Sequence, residues 1–142
     1  MCMVLYVAAD RPLPLIAWDE RDPAFHVTEL PASAAAVRAR FSKPYVYYAG
    51  SHEGCGCGFS YGWWDGDEPE RTAPARESVR RLRAYLEAAT GAAGPLELYA
   101  CWSGDEGDEA QHRRELTPRD FTPDAAEFQL EERTFATVSP NA

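Results

Sequence analysis

Glycine alternates with cysteine within the stretch 50–59, and this alternation constrains the fold more than any other feature of the chain. If the stretch is extended, Cys55 and Cys57 point to the same face, because the side chains of a strand alternate between two faces. The glycines then leave the opposite face bare, so that another backbone, a ring or a ligand can approach closely. The pattern predicts an extended segment over residues 55–61 that carries a cysteine face.

The whole chain, residues 1–142, predicts a single α+β domain. Its length is close to the usual size of one domain, and its apolar fraction of 45% is typical of folded proteins. Apolar side chains recur at intervals of three and four over residues 73–90, which predicts one long amphipathic helix that ends at Gly91. We expect one or two further short helices, at 34–41 and 110–116, and a mixed sheet of five or six strands. The best strand candidates are residues 2–8, 25–30, 45–49, 96–102 and 128–138.

The order of these elements predicts a crossover. Segment 55–61, helix 73–90 and strand 96–102 follow one another as strand, helix and strand, which favours a right-handed connection between parallel strands. An acidic turn follows each predicted strand, at 65–70 and at 105–109. We expect both turns at the carboxyl-end edge of the sheet, where open α/β sheets bind ligands, and we interpret both as solvated. Neither turn has the spacing of an EF-hand.

The charge of the chain argues against two classes of partner. Its 23 acidic and 14 basic residues give a net charge of −9, whereas nucleic acids and anionic membranes are bound mainly through Lys and Arg. The opening apolar run is short and has no basic region before it, so it does not predict a secretory signal. We therefore expect a cytoplasmic protein that binds neither nucleic acid nor membrane, with reduced thiols at its four cysteines.

One hypothesis assigns the cysteines to a metal site. Cys55 and Cys57 on one face can chelate one soft ion, and His52 is close enough in sequence to fold back towards them. Cys101 completes the set if its strand lies beside segment 55–61. Zinc accepts such a set in tetrahedral geometry, and Cu(I) also favours thiolates. The chain is then a small cytosolic metal-thiolate protein that holds zinc or copper through His52, Cys55, Cys57 and Cys101.

A second hypothesis is a non-catalytic interaction domain or homodimeric scaffold. Free cysteine is among the most buried residue types, so all four thiols can be packing residues. The chain is also rich in aromatic side chains around its middle, and we expect some of them to be exposed and to support a homodimer. These residues are Tyr45, Tyr47, Tyr48, Phe59, Tyr61, Trp63 and Trp64.

A third hypothesis is a thiol-dependent enzyme. Cys55 or Cys57 beside His52 has the composition of an activated nucleophile and its base. Separately, the opening residues, Met1 followed by Cys2, resemble the start of the N-terminal-nucleophile hydrolases. That resemblance implies removal of Met1, a free α-amine at Cys2 that acts as the base, and a four-layer sandwich fold. The other interpretations of Cys2 are a strand residue or a further metal ligand.

Overall fold

The computed structural model describes residues 2–62 and 69–142. Within these ranges six strands form one sheet, in the order β2-β3-β1-β4-β6-β5. The strands are β1 (Met3–Ala9), β2 (Phe25–Glu29), β3 (Tyr45–Ser51), β4 (Leu96–Trp102), β5 (His112–Leu116) and β6 (Thr134–Val138). One long helix, α1, covers Pro69–Ala93, and three 3-10 helices cover Ala32–Arg40, Gly56–Phe59 and Pro118–Asp120.

The sheet is mixed, as the sequence predicts. β5 pairs with β6 in parallel, and all the other pairs between named strands are antiparallel. Together with the long helix on one face, this arrangement confirms the α+β fold. None of the described helices combines the length and the apolar character that are needed to cross a membrane.

The crossover differs from the predicted one. β3 and β4 are each antiparallel to β1, so they run parallel to each other with β1 between them. Helix α1 therefore connects β3 to β4 across an inserted strand, which is a split βαβ arrangement. The predicted strand 55–61 is wrong, because Gly56–Phe59 is a 3-10 helix and only Tyr61 makes a bridge, to Phe128. The strand that enters the crossover is β3.

Both faces of the sheet are covered, and β1 is buried along its whole length. On one face Leu5 and Val7 pack in the main core with Val79, Leu82 and Leu86 of α1, the last three of which are fully buried. Burying an aliphatic side chain of this size contributes about 1.5–3 kcal/mol. The other face carries a second core cluster, in which the 3-10 helix Ala32–Arg40 contributes Ala34 and Val37 beside Val4, Tyr6 and Cys101.

Three elements differ from their predictions, in where they end or in their type. Helix α1 does not end at Gly91 but continues to Ala93. The next residue, Gly94, terminates the helix: it has φ +75° and donates its N–H to the carbonyl of Thr90 at 3.0 Å. Segment 110–116, which we expected to be helical, contains the edge strand β5, and the predicted strand 128–138 is regular only over β6. Tertiary pairing overrides local propensity in these two segments.

Candidate functional site

The site lies where β3 and β4 end and β1 begins. Met3 is in register with Trp102, the last residue of β4. β3 ends on the other side of β1, so the loop that follows Ser51 leaves the sheet beside Cys2. The carboxyl-end edge of the parallel pair is therefore the edge that carries the cysteine loop, whereas the sequence predicted only the two acidic turns there.

Ser51 organises the cysteine loop. Its side chain is fully buried, and Oγ donates to the carbonyl of Cys55 at 2.6 Å while it accepts from the backbone N–H of Gly58 at 3.0 Å. The Ser51 N–H also donates to the Cys55 carbonyl at 2.8 Å, and Gly54 makes the reversal with φ +86°. These bonds turn the chain back on itself, which is why the segment does not extend. The sequence signal for Ser51 was only its place at the start of a turn.

The glycines of the loop provide close contacts, as their bare face predicted. A Cβ at Gly58 would lie 2.3 Å from Ser51 Oγ and 2.6 Å from the His52 ring. A Cβ at Gly56 would lie 3.0 Å from the carbonyl oxygen of Met3. The loop therefore packs directly against the first residues of β1, although it is not a strand.

Three thiols converge at this edge. The sulfur atoms of Cys2, Cys55 and Cys57 all lie within 4.8 Å of one another, although Cys2 is more than fifty positions away from the other two in the chain. The N–H of Met3 donates to Cys57 Sγ at 3.2 Å, which fixes the loop against β1. Cys2 is exposed, whereas Cys55 and Cys57 are half-buried. The group could hold a metal ion, and it is open to solvent at Cys2.

Cys101 and His52, the other two predicted ligands, lie outside this group of thiols. Cys101 pairs in register with Val4, two residues along from Cys2, and its side chain is fully buried in the second core cluster. Burial raises its pKa to about 12, and the nearby carboxylate of Glu106 adds to the shift. We expected the strand of Cys101 to lie beside the cysteine segment. Instead, strand β1 separates β4, which carries Cys101, from β3, which leads into the cysteine loop.

His52 is held by helix α1. Its backbone N–H and its ring Nδ1 lie 3.1 and 3.0 Å from Ser78 Oγ. The single hydroxyl proton of Ser78 is donated to the carbonyl of Ala24 at 2.7 Å, so Nδ1 must carry the proton of the ring. His52 is therefore in the Nδ1–H tautomer, and burial lowers its pKa. In the described part of the chain, its contacts link the loop to α1 rather than to the thiols.

The environment of Cys55 disfavours the ionised form of its thiol. Burial raises the pKa of Cys55 to about 12, and side-chain hydrogen bonds with Cys57 and Cys2 add to the shift. Burial also raises the pKa of Tyr48 to about 12, and the proximity of Cys55 adds to the shift. A nucleophilic cysteine needs a lowered pKa, so this environment does not favour Cys55 as a nucleophile. A metal ion supplies the positive charge that such thiols need to ionise.

A cleft of about 570 Å³ borders the thiol group. Cys57 and Met3 form part of its wall on the side of the cysteine loop. The opposite wall comes from β4, the start of β5 and the segment before β6. The remaining lining residues are Ser60, Trp102, Gln111, His112, Gln129, Leu130, Glu131 and Glu132.

Most of the aromatic side chains that we considered for a dimer surface belong to the core. Tyr47, Phe59 and Tyr61 are buried, and Tyr48 is half-buried, while Tyr45 is 42% exposed. The Tyr61 hydroxyl lies within hydrogen-bond distance of the carbonyls of Thr122 and Ala125, so it anchors the loop that contains them. Trp63 and Trp64 lie outside the described residues.

The prediction that both acidic turns are solvated can be compared with the structure mainly at the second turn. Residues 65–68 of the first turn lie outside the described part of the chain. In the second, Glu106 is buried rather than solvated, since it accepts from the Tyr6 hydroxyl and from the N–H of Gly104, both at 2.8 Å. Glu106 thus fixes the turn to the sheet, while Glu109 remains exposed.

Fold and site together define an α+β protein with a three-thiol group at the carboxyl-end edge of a split crossover. The single sheet of the described residues differs from the four-layer sandwich that the resemblance at Cys2 implied. Comparison of the chain with family models, with curated proteins and with solved structures finds no match.

Proposed function

We propose that this protein binds zinc or copper in the cytosol, with Cys2, Cys55 and Cys57 as the protein ligands. The observation that carries the proposal is the convergence of three sulfur atoms within 4.8 Å. Thiolates are the preferred ligands of Cu(I) and among the preferred ligands of Zn²⁺. The cytosol keeps such thiols reduced and therefore available.

The surroundings of the three thiols support metal binding over simple packing. A packed cysteine is normally enclosed, as Cys101 is, whereas Cys2 is exposed and gives an ion a path of entry. The loop is also fixed before any ion arrives, through Ser51 and the bond from Met3 to Cys57. Binding replaces the thiol protons, so it should release protons and strengthen as the pH rises.

The test is the metal stoichiometry of protein that is purified without an affinity metal and then titrated with Zn²⁺ or Cu(I). We expect one tightly bound ion per chain, and at least a tenfold loss of affinity in C2S, C55S and C57S. C101A is the matched control, because it also removes a thiol but from outside the group, and it should retain the affinity of the wild type. Absence of a bound ion, or equal loss in C101A, contradicts the proposal.

A further inference from the structure

The three-thiol group leaves one side of a bound zinc ion without a protein ligand. Zinc is almost always four-coordinate in proteins, and sites with three protein ligands keep the fourth position for water or substrate. Among the residues that the structure describes, the group contains three ligands and no fourth His, Cys, Asp or Glu. Cys57 belongs both to this group and to the wall of the 570 Å³ cleft. A ligand in the cleft therefore lies next to one of the three metal ligands.

The carboxylates that line the cleft favour a positively charged ligand. Two carboxylates, Glu131 and Glu132, line it, and among the described residues neither Lys nor Arg does. Glu131 is neutralised by Arg114, whose Nε and Nη2 lie 3.2 and 3.1 Å from its two oxygens. Glu132 makes no ion pair within residues 2–62 and 69–142, and it is exposed at the cleft. A ligand that carries a positive group is therefore favoured at Glu132.

The volume of the cleft and its other lining residues favour a small ligand. A volume of about 570 Å³ lies within the usual range for small-molecule sites. The half-buried Trp102 offers an aromatic surface that also favours a cation, and Gln111 and Gln129 offer amide groups for hydrogen bonds. Soft sulfur is the donor that extends a thiolate coordination shell most naturally.

We propose that the zinc-loaded protein binds a small aminothiol in the cleft, with its sulfur as the fourth zinc ligand and its ammonium group beside Glu132. This inference rests on the proposed metal site. In the binding step the zinc–oxygen bond to a water molecule breaks and a zinc–sulfur bond forms. The thiol proton passes to solvent, and no electron is transferred.

The experiment uses the full chain loaded with cobalt(II), a spectroscopic substitute for zinc. Titration with cysteamine should intensify the sulfur-to-cobalt charge-transfer absorption, as expected when a fourth thiolate replaces water. 2-Mercaptoethanol has the same length but a hydroxyl in place of the ammonium group. Comparison between variants cancels the difference in thiol acidity between the two probes.

In the wild type the ratio of cysteamine affinity to 2-mercaptoethanol affinity should exceed the ratio in E132Q by about 1.5- to fivefold, the range expected for an exposed ion pair. E109Q removes an exposed carboxylate that does not line the cleft, and it should keep the wild-type ratio. Equal ratios in the wild type and E132Q, or an unchanged spectrum with both probes, overturn the inference. Failure to bind cobalt or zinc at all instead contradicts the metal site itself.

Discussion

At the scale of single residues, the two glycines Gly50 and Gly91 differ in whether the surrounding structure leaves room for a side chain. Gly50 of β3 is in register with His26, and a Cβ at Gly50 would lie 2.0 Å from the His26 ring and 2.8 Å from the carbonyl oxygen of Gly54. Gly91 lies inside α1, and nothing lies within 4 Å of the position that its Cβ would take. The first glycine is required by packing, and the second is not.

The pair G50A and G91A tests this difference. We expect G50A to lower the free energy of unfolding by about 1–3 kcal/mol, because the ring of the buried His26 and the Gly54 backbone must move. G91A should raise it by about 0.5–1 kcal/mol, because alanine has the higher helix propensity and meets no obstacle. Urea unfolding measures both values. If G50A and G91A change the free energy of unfolding equally, the structure accommodates a methyl group at Gly50 without loss of stability.

At the scale of elements, Arg76 connects α1 to the loop after the 3-10 helix Pro118–Asp120. Helical spacing puts Arg76, Arg80 and Arg83 on the arc opposite the apolar residues of the helix, which by itself predicts a solvated face. In the structure its Nη1 donates to the carbonyls of Pro123 and Ala125 at 2.9 and 2.8 Å. Its guanidinium also lies 4.3 Å from the centre of the Tyr61 ring. Helical periodicity assigns a residue to a face, but it does not reveal that a distant loop covers that face.

We expect R76M to destabilise the protein by about 1–3 kcal/mol, because two part-buried carbonyl groups lose a charged donor. R83M is the control, since Arg83 makes an exposed i,i+4 pair with Glu87 at 3.3 Å and should change stability by about 0.5 kcal/mol or less. Thermal or urea unfolding gives both values. If R76M and R83M change the free energy of unfolding by the same amount, Arg76 does not stabilise the packing of the loop against α1.

At the scale of the whole molecule, two histidines couple folding to pH: His26, which is buried, and His52, which is half-buried. His26 is 6% exposed, and its Nδ1 has no hydrogen-bond partner within the described residues. Burial lowers the pKa of His26 and also that of His52. Below about pH 6.5 the unfolded chain therefore takes up protons before the folded chain does, so stability falls as the pH falls.

This coupling predicts that H26Q has a shallower loss of stability than the wild type between about pH 7 and pH 5. The quantity to measure is the slope of the unfolding free energy against pH, which does not depend on the absolute stability of the variant. H112Q makes the same replacement at an exposed position on β5, and it should keep the wild-type slope. An unchanged slope in H26Q would mean that His26 does not titrate differently in the two states.

Self-association remains a prediction at this scale. The exposed apolar side chains that the structure describes are few, and they include Leu15 at 53% and Trp18 at 44%. Leu15 and Trp18 lie in the segment before β2, whereas Tyr45, at 42%, belongs to the aromatic stretch from which the dimer was predicted. Light scattering of the purified protein tests whether this surface pairs two copies.

The sequence by itself determined the features that depend on local periodicity and composition. The three- and four-residue spacing of Val79, Leu82 and Leu86 predicted the long helix, and continuous apolar runs predicted β1 and β4, because both patterns follow from helix and strand geometry. It also marked the cysteine loop as unusual, since glycine between cysteines permits close approach. The mixed sheet followed from the number and type of these elements.

Only the tertiary structure decided which thiols meet. The insertion of β1 between β3 and β4 moves Cys101 into the core, and it brings Cys2 from the start of the chain to the cysteine loop. Strand order is a property of pairing between distant segments, and no local pattern encodes it. The conversion of residues 56–59 from a predicted strand to a 3-10 helix has a similar origin, because the buried hydroxyl of Ser51 satisfies backbone groups that a strand would have paired elsewhere.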